Sequence, residues 1–378
     1  MTQAGPLAGI RVIEVCHILA GPYCGMLLAD LGADVIKVET GSGDIARSTG
    51  NHEIDGHNTY FASLNRNKRS VLLDIADPHR RGAFEALISE SQVLVTNLRP
   101  RAIRKLGLTY EHLRAVNPSL VCVAVTGFGL NGPYSDLPAY DYIIQAMSGL
   151  MMLTGEPGSP PMRVGYSVVD NTGGMMAAIG LLSKLVGRTG GQVDIALYDT
   201  LLSQLNYMAG AFLNAGKVPE RQPNGAHSFF VPAQIFMARG GYLALFITHD
   251  SFWRTLAEAL NRKDWLEDKR FATMAARSEN RQIVVESVQA EILRRTSAEW
   301  VDLLQPLGIV IAAVGTLDGA LLGQNAAARG MLASIATAQG PLRLVGNPIK
   351  VEGFEETYRA PPRLGEHTAL LEQLGYER

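Results

Sequence analysis

The sequence predicts an α/β fold: a doubly wound parallel sheet, followed by a smaller α+β unit. Three observations predict it. Strand-like apolar runs alternate with helical ones through roughly the first two hundred residues. The alternation then breaks into a polar stretch rich in Gly, Pro and Asn, and the 378 residues exceed what one hydrophobic core usually organises. The run 11–15 reads as a buried strand, 22–31 as a helix and 34–39 as a second strand, which makes a βαβ unit. The pattern recurs with a strand over 70–74, a helix over 78–91 and a strand over 92–96. Further strands are expected at 120–125, 164–169 and 192–197, and helices at 140–152, 171–186 and 198–213. Residues 216–232 read as a linker. Beyond it, 233–237 and 242–247 flank Ala238-Arg239-Gly240-Gly241 as a hairpin, helices follow near 251–260, 278–295 and 298–304, and Thr296 with Glu299 makes a capping box. The tail from 340 on alternates short apolar runs with Pro and Gly and is expected to pack back against the first domain.

Composition narrows the partners. The net charge is −2, with 34 basic and 36 acidic residues mixed along the chain, so neither a nucleic-acid stripe nor an anionic-membrane patch is expected. A small molecule or another subunit is the expected partner. Cys16, Cys24 and Cys122 show no CxxC spacing, which fits a reducing, cytoplasmic setting better than a disulfide scaffold or a zinc site. No signal-peptide pattern opens the chain, and no apolar run of about 20 residues is present to span a bilayer.

Chemistry is expected where strands give way to helices. The turn His17-Ile18-Leu19-Ala20-Gly21-Pro22 sits where a doubly wound fold binds phosphorylated ligands, because helix N-terminal amides face the anion there. Gly21 and Gly25 do not make G-x-G-x-x-G, so the dinucleotide reading loses its main support. His17 reads equally as a ligand contact and as a turn histidine satisfied by the backbone. Asp170 follows the apolar run 164–169 and precedes Asn171-Thr172-Gly173-Gly174, placing a carboxylate at a strand-to-helix junction. Asp is a good N-cap, so capping competes with catalysis as its role. Glycines beside it would let a substrate approach the backbone, and a carboxylate nucleophile requires an activated acyl donor such as a thioester. Among the cations, the stretch 99–105 with Arg99, Arg101, Arg104 and Lys105 is the densest and follows a strand end, which suits nucleotide phosphates. Neither a P-loop, a G-x-S-x-G elbow nor a metal-ligand pattern is present.

At these same residues the chain resembles the family III CoA-transferases, the CaiB/BaiF family, over nearly its whole length. The resemblance rests on Leu7-Ala8-Gly9-Ile10-Arg11-Val12-Ile13-Glu14, on Ala20-Gly21-Pro22 and on Leu28 through Glu39. It continues in Gly43-Asp44 with Arg47, Asn67-Lys68-Arg69-Ser70, Tyr140-Asp141 with Gln145-Ala146 and Gly149, and Leu364-Gly365-Glu366-His367-Thr368. It implies an interlocked homodimer in which each chain threads its partner. The large Rossmann-like domain would comprise 1–215 and 330–378, and the small domain 233–329. It further implies acyl-CoA and carboxylic acid substrates, no tightly bound cofactor, and Asp170 as the nucleophile that passes through an aspartyl-CoA thioester. CoA contacts would map to His17, Leu19, Ala20, Leu73, Asn97, Leu98, Arg99, Lys105 and Tyr140.

Departures from the family pattern bear on substrate choice. Some members carry Gln at the position of Leu19 to hold the reacting acyl group, so backbone amides or His17 would have to serve here. A common Gly is Arg101 in this chain, and Gly308-Ile309-Val310-Ile311 lacks the family proline. Arg99 and Arg101 suggest a clamp for the second carboxylate of a dicarboxylic acid, with succinyl-CoA as donor. Two other functions compete. A 2-methylacyl-CoA racemase would need a histidine where Tyr140 stands, and a non-catalytic CoA-binding protein would need Asp170 to be dispensable.

Overall fold

In the computed structural model, which describes residues 5–377, six strands form one parallel sheet. They are β1 (Arg11–Val15), β2 (Asp34–Glu39), β3 (Arg69–Leu72), β4 (Val93–Thr96), β5 (Val121–Thr126) and β6 (Gly191–Ala196). Their order is β3-β2-β1-β4-β5-β6, the doubly wound arrangement that reverses direction between β1 and β4. Strands buried on both faces must be largely apolar, and β4 and β5 are, each up to a terminal Thr. Alternate residues feed two cores. Val12, Val35 and Val123 face one with Leu28 and Leu181, while Ile13, Ile36 and Leu94 face the other with Phe84 and Leu87. The helices that cover these faces are α1 (Ala20–Asp30), α2 (Arg81–Ser89), α3 (Pro100–Lys105), α4 (Asp141–Met147), α5 (Val168–Val186) and α6 (Leu197–Gln204).

The chain divides into two compact units. One comprises the residues up to Leu150, Arg163–Gly216 and those from Gly323 on; the other comprises Met151–Met162 and Lys217–Leu322. In the first unit the tail lies along the open edge of the sheet. Leu72 N donates to Thr368 Oγ1 at 3.0 Å, His367 N to Ser70 O at 2.8 Å and Gly365 N to Ser70 Oγ at 3.0 Å. Backbone groups of β3 that a free edge would expose are thereby satisfied. The second unit has its own antiparallel sheet, with β7 (Ala233–Ala238), β8 (Gly241–Phe246) and β9 (Val310–Ala313) in the order β9-β8-β7, packed around Phe236, Trp253, Trp265 and Leu304. The capping box of Thr296 and Glu299 forms there as the spacing predicts.

Three expected elements differ. Helix 140–152 breaks after Met147, where Gly149 takes a φ of 86°. The helical run 198–213 is two helices that meet at Leu205. The expected strand over 164–169 does not form: 164–167 is irregular and α5 already begins at Val168. The place beside β5 is taken by β6, so this segment finds its hydrogen bonds elsewhere. Val164 N donates to Gln145 Oε1 at 2.9 Å, and Val169 N to Asp141 Oδ2 at 2.8 Å.

Candidate active site

In a doubly wound sheet, ligands bind outside the carboxyl ends of the strands at the point of reversal, because loops there diverge and leave a crevice. Here that point lies between the segments leaving β1 and β4. A cavity of about 230 Å³ opens at it, lined by His17, Leu19, Ala20, Asn97, Leu98, Arg99, Tyr140 and Asp170, with Ile18 and Ile45 beside them. Those of the expected residues that line it come from four separate segments of the sequence. Leu73 is elsewhere, buried in the core under α2, and Arg101 is exposed outside the cavity. Lys105 lines a separate hollow of about 540 Å³ with Arg81, Arg104 and His112, and no carboxylate is among its lining residues.

Asp170 stands at the third position of α5, within its first turn, so it is not the N-cap; Ser167 holds that position without a side-chain bond. The cap is supplied from α4. Buried Asp141 accepts from Val169 N through one oxygen and from Gln145 Nε2, at 2.7 Å, through the other. Asp170 itself is largely buried. Its carboxyl is pushed up to about 7, first by burial and then by the negative charge of Asp141, with no described residue donating a hydrogen bond to hold it down. A carboxylate poorly solvated and repelled by a neighbour is less stable and more reactive than one in water. The glycines that follow serve packing rather than ligand approach. A Cβ on Gly173 would lie 2.3 Å from Leu197 Cδ2, and one on Gly174 would lie 2.6 Å from Ala20 O, so α5 meets α6 and α1 at backbone distance.

The turn after β1 is held from two sides. Asn97, which the sequence suggested as a ligand contact, uses its amide on the backbone: Oδ1 accepts from His17 N at 2.9 Å and Nδ2 donates to His17 O at 2.8 Å. Asp44 Oδ1 accepts from Ile18 N at 2.9 Å and from Ala46 N at 2.9 Å, and lies 3.8 Å from His17 Nδ1. Ile18 takes a φ of 65°, a left-handed conformation that a β-branched residue rarely adopts. Behind the turn is a charged core with no water access. Lys37 Nζ reaches Glu14 Oε1 at 2.9 Å, Asp44 Oδ2 at 2.9 Å and Cys16 O at 2.8 Å, and Lys68 Nζ reaches Glu14 Oε2 at 2.7 Å. Burial opposes the charge on Asp44, but the neighbouring His17 imidazole, the charge of Lys37 and the amides of Ile18 and Ala46 outweigh it and hold the carboxyl far below its ordinary range. Glu14 and Asp44 likewise keep Lys37 protonated against its burial.

Asp44, Asp141 and Ile18 are the site residues that sequence reasoning missed. The pairs Gly43-Asp44 and Tyr140-Asp141 were visible as motifs, and the four-residue spacing of Asp141 and Gln145 on a helix was a usable signal for a clamp. Nothing in the sequence marks Ile18. Tyr60 was also not singled out; its phenol is pushed up by burial and then by the charges of Asp170 and Asp44, so it lies within electrostatic reach of both.

Comparison with known proteins gives concordant results. The family model described as CoA-transferase family III matches residues 7–368. An acetyl-CoA:oxalate CoA-transferase of Acetobacter aceti is 32% identical, covering 97% of this chain and 95% of its own. A succinate–glutarate CoA-transferase of Agrobacterium fabrum is 33% identical, covering 97% and 94%. Among solved structures, a CAIB/BAIF family protein from Brucella suis superposes with a TM-score of 0.86 at 33% identity, covering 98% of this chain and 100% of its own.

Proposed function

The chain belongs to CoA-transferase family III, and we propose that it moves CoA from an acyl-CoA thioester to a carboxylic acid through an aspartyl-CoA thioester on Asp170. A carboxylate oxygen of Asp170 attacks the donor carbonyl, and the thiolate of CoA leaves, giving a mixed anhydride. The thiolate then attacks the Asp170 carbonyl and expels the donor acid, which leaves the aspartyl thioester. The acceptor carboxylate repeats the sequence in reverse, and Asp170 emerges free with the acceptor bound to CoA. Every step exchanges one acyl bond for another, so no oxidant or metal is needed. Amides at the N-terminus of α1, beside Leu19 and Ala20, supply donors for the oxyanion where Leu19 has no side-chain donor.

The observation that carries this reading is the perturbed carboxylate of Asp170 in the cavity at the sheet's point of reversal. The basic hollow at the far end of α3, with Arg81, Arg104 and Lys105, suits the nucleotide phosphates of CoA. Arg99 at the cavity suits a second carboxylate, which favours a dicarboxylic donor such as succinyl-CoA. Exposed apolar residues on α5 and on the helix Asn206–Ala215, including Met175, Ile179 and Leu213, suit burial against a second copy in an interlocked homodimer. Three buried, unpaired cysteines fit a reducing compartment such as the cytoplasm.

The test is intact mass after incubation with a panel of acyl-CoAs, with and without hydroxylamine, for the wild type and Asp170→Ala. An adduct of CoA, or a hydroxamate in its place, is expected on the wild type alone. A thioester that exchanges its α-proton in heavy water without labelling Asp170 would establish racemisation instead.

A further inference from the structure

Of the residues around the cavity, Ile18 is the one whose backbone conformation its own side chain opposes. Left-handed φ is disfavoured by on the order of ten-fold or more for such a residue, and it persists only when its surroundings enforce it. The enforcing group is identifiable. Asp44 Oδ1 accepts from the Ile18 amide, and the same oxygen accepts from Ala46 N, so the carboxylate is anchored on its own segment while it holds the turn. Its other oxygen is fixed by Lys37, which is itself fixed by Glu14 and by Cys16 O. All four side chains of the chain of contacts Asp44, Lys37, Glu14 and Lys68 are fully excluded from water, so no solvent competes for the carboxylate. Asn97 fixes His17 from the opposite side. Gly25 is shaped to the same purpose: a Cβ there would lie 2.0 Å from Glu14 Oε2 and displace the network.

We propose that Asp44, backed by Lys37, is a positioning residue that locks Ile18 in the left-handed conformation and so aims the His17 to Ala20 backbone at Asp170 across the cavity. The proposal rests on the transferase reading for its activity readout. A side chain that merely stabilised the fold would not care which residue stands at 18, whereas a lock on a strained turn becomes superfluous once the strain is removed. Glycine takes left-handed φ without penalty.

The test is a double-mutant cycle on the full chain with Asp44→Ala and Ile18→Gly, following kcat/KM for CoA transfer and the melting temperature in parallel. Asp44→Ala is expected to lower kcat/KM by about ten-fold or more in the Ile18 background and by under about two-fold in the Ile18→Gly background. Its melting temperature should fall equally in both, since Lys37 loses a partner either way. Equal losses of kcat/KM in the two backgrounds, or no loss in either, would overturn the proposal. If Asp44→Ala does not fold, Asp44→Asn replaces it: a loss of a few-fold that Ile18→Gly leaves uncorrected has the same force. Should the wild type itself transfer no CoA, the transferase reading fails separately. The lock is then judged by the crystal structure of the Asp44 variant, where a retained left-handed φ at Ile18 would rule it out.

Discussion

Replacing Asp141 by Asn removes a charge beside Asp170 while keeping an acceptor for the amide that caps α5. Burial is the larger cause of the elevated carboxyl of Asp170, and Asp141 the smaller. The carboxyl stands at about 7 against an ordinary 3.8, so removal of the smaller cause should bring it down by less than half of that interval, to no lower than about 5.4, the midpoint of the two values. The nucleophile is the ionised form, so kcat/KM of the free enzyme falls as pH drops through about 7 in the wild type. If the limb moves down by about one pH unit, the ionised fraction at pH 6 rises from about a tenth to about half, a roughly five-fold gain in kcat/KM. Above pH 8 both enzymes are ionised and the gain vanishes; the less basic carboxylate is then slightly the slower nucleophile. An Asn side chain can satisfy Val169 N but then points its NH₂ toward the amide of Gln145, so about 1 kcal/mol of stability should be lost as well. The assay is initial-rate CoA transfer between pH 5.5 and 9. A limb that stays near 7 would show that the charge of Asp141 does not act on Asp170, and an upward shift would contradict the electrostatics outright.

Further expectations concern stability and substrate binding. Asp170 titrates higher folded than unfolded, so keeping it ionised in the fold carries a penalty that is absent below about 3.8 and complete above about 7; Asp170→Asn should therefore raise the melting temperature at pH 8, by at most about 4 kcal/mol of stability, and leave it unchanged at pH 3.5. A lower melting temperature at pH 8 would mean the carboxylate is held by interactions that the structure does not contain. Gly174→Ala should cost about 1–3 kcal/mol and reduce activity, because its Cβ meets the Ala20 carbonyl at the start of α1, while Gly41→Ala, with nothing within 4 Å, should be silent in the same thermal melts. Lys105→Ala should raise KM for the CoA thioester with little change in kcat, and the defect should shrink with 3′-dephospho-CoA; equal KM values for variant and wild type would remove the basic hollow from the binding path.

Much of the sheet is legible in the chain because β4 and β5 are uninterrupted apolar runs and β1, β2 and β3 are set off by Gly, Asp and Asn turns. The alternation of strand and helix dictates parallel pairing, and parallel pairing places the first turn and the segment after β4 at a shared crevice. Local capping is equally sequence-encoded, as Thr296 and Glu299 demonstrate. Asp170 stood out for its apolar run and following glycines, yet both signals were misleading in detail. The run is not a strand, and the glycines admit neighbouring helices rather than a ligand.

What only the tertiary structure decided is how charge is distributed around that carboxylate. Asp141 is 29 positions away in sequence, and its action on Asp170 does not follow from periodicity or propensity. Local sequence determines which backbone conformations are cheap, and on that basis Ile18 would not be left-handed. The conformation is imposed by a buried carboxylate, a buried lysine and an amide clamp from Asn97 just after β4, partners that exist only once the sheet has formed. Electrostatic interactions reach across space and depend on exclusion of water, so the elevated carboxyl of Asp170 and the strained turn opposite it belong to the folded chain and not to either segment alone.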